Sequence, residues 1–177
     1  MKLKTQYQPD DYVVRENAEL PLKDKGAFGV YVLEKYGWST VNVLRELSER
    51  FSLPLRVFAY GGKKDKIGLT TQVITIEGPR VPDIRTKDFF IKFLGFADEP
   101  MSRDYIKSNQ FEITLRNLSA ESSEKASSEL EDVKLFGFPN FFDNQRFGSY
   151  DLLQGFFGEK ILKGHLNGAV KTHLTSV

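Results

Sequence analysis

Between Phe58 and Gln72 the chain reads FAYGGKKDKIGLTTQ, which sets one carboxylate, Asp65, among three lysines, Lys63, Lys64 and Lys66. An aspartate in such company is suited to act as a nucleophile or a base, and its lysines can attract phosphate. The Gly61-Gly62 pair and the alternating runs on either side make the segment a strand, a tight acid-bearing loop and a second strand. A solvated surface hairpin has the same composition.

A second group of candidates lies in Gly137-Phe138-Pro139-Asn140-Phe141-Phe142, followed by Gln145-Arg146-Phe147-Gly148. Phenylalanines around a proline ordinarily belong to a core. An enzyme that modifies RNA also needs a flat apolar face for an extruded base and an amide that reads its edge, and Phe142 and Asn140 have those properties. Glu16 closes a short strand, where an acid either faces water or serves a site. His165 and His173 have no cysteine or carboxylate at metal-ligand spacing, and no phosphate loop, dinucleotide fingerprint or nucleophile elbow occurs. No metal and no cofactor are expected, and the absence of cysteine excludes thiol chemistry.

The order Ala59-Tyr60-Gly61-Gly62, Lys64-Asp65-Lys66, Leu69-Thr70 and Gln72 resembles the central motif of the TruD family of pseudouridine synthases, roughly GxKD(K/R)xAxTxQ. The Phe138 to Phe142 and Gln145 to Gly148 segments resemble a second motif of that family, in the expected order. Two separated motifs are more specific than either alone. Asp11 to Glu16 fits the family's D(F/Y)xVxE opening, and Asn109, Phe111 and Arg116 fit its GNxF strand, with Ser108 in place of the glycine. The chain departs at Lys63 and at Gly68, where alanine is usual, and neither change alters the acid.

The resemblance implies a pseudouridine synthase catalytic-domain fold and isomerisation of uridine to pseudouridine in RNA, without metal or cofactor. Asp65 is then the catalytic residue, attacking the ribose or taking a ribose proton, with Lys64 keeping it ionised. Asn140 and Phe142 contact the uracil, Glu16 lies near the active site, and Lys63, Lys66 and Arg146 meet RNA. The typical substrate is tRNA, at position 13 in bacterial members. The match covers about residues 9–148, and family members are about twice as long. Residues 1–177 then form the N-terminal part of the catalytic domain, with 149–177 starting an inserted region, in a chain that is a fragment, a truncated frame or a short divergent form. The rival readings are an RNA-binding module without turnover and a protein-interaction domain whose phenylalanines are only core.

The elements that must position these residues follow from patterning. With 177 residues, 40% of them hydrophobic and 13% aromatic, the chain can bury one sizeable core in one or two domains. Strands are expected at 11–16, 29–35, 55–60 and 69–77, and at 111–115 with one wet face. Ser39 or Thr40 caps a helix to Phe51, Thr86 caps a short helix that turns Phe89, Phe90, Phe93 and Leu94 inward, and Ser119 caps a helix over 120–133. This order gives an α+β fold, a mostly antiparallel mixed sheet with packed helices. A start without an apolar signal core and the lack of any long apolar run point to a cytoplasmic protein with no membrane partner, expected as a monomer. A net charge of +1 requires any RNA binding to come from local patches.

Overall fold

The structure, a computed structural model, describes residues 8–138, 157–168 and 170. It forms two compact units, residues 1–119 and 120–177. The first is built on a seven-stranded sheet. Its strands are β1 (Tyr12–Ala18), β2 (Phe28–Tyr36), β3 (Phe58–Tyr60), β4 (Leu69–Glu77), β5 (Ile84–Arg85), β6 (Phe89–Ala97) and β7 (Ile106–Ile113). They lie in the order β5-β6-β2-β4-β1-β7, with β3 beside β4. Among the described residues β1 and β4 pair in parallel and the other neighbours are antiparallel, so the fold is α+β on a mostly antiparallel mixed sheet.

Helix α1 (Thr40–Phe51) follows β2 and starts where expected: the Ser39 side chain accepts the Asn42 amide hydrogen, satisfying one of the free donors of the first turn. Its Val43, Leu44 and Leu47 are buried against Tyr31 and Leu33 of β2, Phe58 of β3, Ile74 and Ile76 of β4, and Phe89 and Ile91 of β6. These residues form the main core, between α1 and one face of the sheet. Leu20, Val30, Ala97 and Met101 make a smaller cluster.

Residues 86–94 are not helical, as their spacing had suggested, but run from a turn into β6. Thr86 does cap, since its hydroxyl accepts the amide hydrogens of Asp88 and Phe89, yet what it closes is the turn between β5 and β6. Phe89 and Ile91 are buried and Lys92 is exposed, the alternation of a strand. A register shift opposite Val30 and Tyr31 then changes the parity, which is how a helix-like spacing of apolar residues fits an extended chain. Residues 55–57 form a 3-10 turn rather than strand, leaving β3 only three residues long. Strand β7 begins at Ile106, earlier than expected, and its apolar face stays open among the described residues: Phe111 and Ile113 are about half exposed, with the Tyr12 ring 6.2 Å from that of Phe111.

In the second unit, α2 (Ala120–Phe136) runs one turn beyond its expected end, and α3 (Phe157–Leu162) follows. No helix among the described residues is long and apolar enough to cross a membrane.

The feature that creates a site is the shared edge of β4. Strand β1 pairs with Leu69 to Thr71, and β3 pairs with Ile74 to Tyr60 and on to Ile76 with Phe58. Both partners therefore lie along one edge of β4, end to end. The connection from Tyr60 to Leu69, which carries Asp65, must fold back over the place where they meet.

Candidate active site

Successive strand residues point to opposite faces. Registers Val14 with Thr70 and Thr70 with Lys35 put these three in a row across β1, β4 and β2, on the face that also carries Leu33, Gln72 and Ile74. Tyr12 and Glu16, two residues either side of Val14, share that face. The Asp65 loop lies over this row, and the row is polar where a core would be apolar. Lys35, Thr70 and Gln72 are at most 1% exposed.

Lys35 and Gln72 of that row, with Thr40 at the start of α1, hold the main chain of the loop at three points. The Gln72 side-chain amide donates to the Gly62 carbonyl at 3.2 Å, and the Lys64 amide donates to the Thr40 hydroxyl at 3.1 Å. The Lys35 amine donates to the Asp65 carbonyl at 2.5 Å. Thr40 in turn donates to the Gln72 carbonyl oxygen at 2.8 Å, which fixes the orientation of that amide. A hydrogen bond of this kind contributes about 0.5–1.5 kcal/mol, so the loop is anchored more firmly than its glycines and exposed lysines suggest. Gly61 has a packing role as well: a Cβ there would lie 2.5 Å from the Ile106 side chain and 2.9 Å from the Ser102 carbonyl oxygen.

Glu16 and Lys64 form an ion pair at 2.5 Å with side chains 0% and 9% exposed. The second Glu16 oxygen accepts the amide hydrogen of Val73, at the gap between the β1 and β3 pairings. Lys64 thus spends its charge on Glu16, and this pair ties the loop to β1. Lys63 and Lys66 are exposed on either side.

Asp65 itself is exposed at the tip, free to meet a substrate. Beside it stands Tyr12, whose hydroxyl is pushed above its ordinary value by burial and, after that, by the Asp65 carboxylate nearby. Gly68 lets the ring come this close: a Cβ at 68 would lie 2.8 Å from the Tyr12 carbonyl oxygen and 3.1 Å from the ring. Asp65, Lys64 and Glu16 are therefore brought together with Tyr12, which the opening motif contains without a site role, and with Lys35, which the motif reading does not include. The signal for Lys35 in the sequence is weak, one charged residue beside Glu34 at the end of a strand that is otherwise mostly apolar. Asn140, Phe142 and Arg146 lie outside the described residues. Among the described residues no cluster of His, Cys, Asp and Glu could hold a metal.

One member of the row breaks the usual rule for buried polar groups. The Thr70 hydroxyl is buried and has no hydrogen-bond partner among the described residues. Leaving such a group unsatisfied costs about 1–3 kcal/mol. Thr70→Val should accordingly stabilise the protein by about 1 kcal/mol in urea unfolding, whereas a loss of stability would mean that the hydroxyl is bonded after all.

The family model described as tRNA pseudouridine synthase D (TruD) matches residues 1–177. The tRNA pseudouridine synthase D of Aquifex aeolicus (strain VF5) is 30% identical over 183 residues, covering 100% of this chain and 48% of that protein. The probable tRNA pseudouridine synthase D 1 of Methanococcus maripaludis is 30% identical, covering 98% of this chain and 44% of that one. The crystal structure of a putative tRNA pseudouridine synthase D from Methanosarcina mazei superposes with a TM-score of 0.79 at 29% identity, over 93% of this chain and 39% of that chain. The chain spans less than half the length of these relatives.

Proposed function

We propose that this chain, which belongs to the TruD family of pseudouridine synthases, converts uridine to pseudouridine in RNA, with tRNA as the substrate and Asp65 as the catalytic carboxylate. The observation that carries this reading is the placement of Asp65: an exposed carboxylate on a loop whose main chain is held from below by Lys35, Thr40 and Gln72. Rigid support under an accessible group is what positioned chemistry needs.

The reaction breaks the bond from the ribose anomeric carbon to N1 of the uracil and makes one from that carbon to C5. C5 gives up its hydrogen as a proton and N1 gains one, so nothing is oxidised or reduced and no redox cofactor is called for. Asp65 acts on the ribose, as a nucleophile at the anomeric carbon or as the base that removes a neighbouring ribose proton; either use needs one ionised carboxylate. Lys63 and Lys66, exposed beside it, supply positive charge for the phosphates that flank an extruded nucleotide. Asn140 reads the uracil edge, Phe142 stacks on the ring, and Arg146 meets a phosphate.

The test is incubation of the protein with tRNA whose uridines carry tritium at C5. Formation of the new carbon–carbon bond releases the label to water, in step with pseudouridine detected in the digested RNA. Label that stays in RNA bound by the protein would overturn the reading in favour of an RNA-binding module without turnover.

A further inference from the structure

Lysine is almost never fully buried unless something pairs with it, because its ammonium loses hydration that must be replaced. Lys35 is 0% exposed, in the middle of the main sheet, where a leucine of similar size would fill the space without that cost. What a leucine would lack is a donor. The Lys35 amine reaches the Asp65 carbonyl oxygen at 2.5 Å, and it does so from a rigid strand hydrogen-bonded on both sides, to β4 and to β6.

We propose that Lys35 is a positioning residue for the reaction: its amine, sealed beneath the active loop, fixes the main chain of Asp65 and thereby aims the carboxylate at the ribose. This rests on the reading of Asp65 given above. Lys35 has no exposed surface to offer RNA, so its influence reaches the substrate through Asp65.

The electrical surroundings fit this role. Asp65 and Lys64 of the loop act on the amine directly; Tyr12 and Glu16 share its face of the sheet from β1, and Glu34, Tyr36, Arg85, Lys87 and Asp88 line a cavity with Lys35. Burial pushes the amine from its ordinary 10.5 down to about 8; the Asp65 charge resists that fall and Lys64 adds to it. A neutral amine still donates an N–H, so the clamp on the carbonyl survives deprotonation. What the titration changes is the charge under the loop.

Two measurements on the full chain test the proposal. Lys35→Met keeps the length and apolar character of the stem and removes the donor. Its kcat on tRNA should fall roughly tenfold to a hundredfold, the loss expected when a reacting group is displaced by about an ångström, with KM close to that of the unaltered protein. A folded Lys35→Met protein with unchanged kcat, or one in which KM alone rises, overturns the proposal. The second measurement does not depend on activity or on the folding of that variant: the Lys35 side chain is titrated by nuclear magnetic resonance in the unaltered protein and in Asp65→Asn. The midpoint should lie at about 8 and move lower in Asp65→Asn, because the charge that favoured the protonated amine is gone. A midpoint that does not move means that the amine does not lie beside Asp65, and the clamp on which the proposal rests is absent. If the unaltered chain shows no turnover, the functional reading fails on its own account, and the titration still decides whether Lys35 and Asp65 act as a pair.

Discussion

Asp65→Asn abolishes pseudouridine formation and leaves RNA affinity within a few-fold of the unaltered protein: this is the expected result with the largest effect on activity. The substitution keeps the shape of the side chain and removes its charge, and with it the capacity to attack a carbon or take a proton. Loss of one general acid–base group alone costs about 10²–10⁴-fold, and loss of a nucleophile more, so turnover should drop by at least that range. The fold gives no reason for any other outcome. Asp65 is exposed, and the hydrogen bonds that hold its loop come from Lys35, Thr40 and Gln72 to main-chain atoms, none of them to its carboxylate. Affinity depends mainly on phosphate contacts and their release of counterions, to which, in the proposed reading, Lys63 and Lys66 contribute and an aspartate does not. Tritium release and equilibrium binding across a salt series measure the two quantities separately. Equal losses in both would mean that Asp65 holds the RNA or the fold, and its catalytic assignment would be wrong.

The parts of this site that were legible in the sequence are those where chemistry and local pattern coincide. Asp65 was visible because an acid among lysines, after two glycines and between alternating runs, is both unusual and locally encoded. Glu16 was visible as an acid at the end of a strand, but its partner was not: only the parallel pairing of β1 with β4 brings it to Lys64, forty-eight residues away along the chain. Lys35 received no site role, and Tyr12 only a place in the opening motif, for the same reason, since a residue on a neighbouring strand acquires its role from register, which single-strand periodicity does not contain. The misjudged segments have a similar origin. In residues 86–94 a bulge shifted the parity of the aromatic residues and imitated a helix. On β7 the alternation of Phe111 and Ile113 with polar residues promised a dry face, and the position of the strand at the end of the sheet leaves that face open among the described residues. Element type was set locally, whereas burial depended on neighbours.

Removal of the Lys64 amine should cost more stability than any single polar change elsewhere on the loop. Glu16 has no exposed side-chain surface, and Lys64 is its cationic partner at 2.5 Å. Lys64→Met leaves a carboxylate in that environment with the Val73 amide as its remaining donor, and breaking one side of a buried ion pair costs about 3–5 kcal/mol. The cost does not measure the worth of the pair. It is mostly the penalty for the stranded charge, so Glu16→Gln together with Lys64→Met should recover much of it, because glutamine is neutral and its oxygen can still accept from Val73. Urea unfolding of the two single variants and the double variant gives the coupling directly. Losses that simply add would show that the two side chains do not compensate each other's charge. The loop would then be held by its main-chain anchors to β2, α1 and β4, and not by a charge pair to β1.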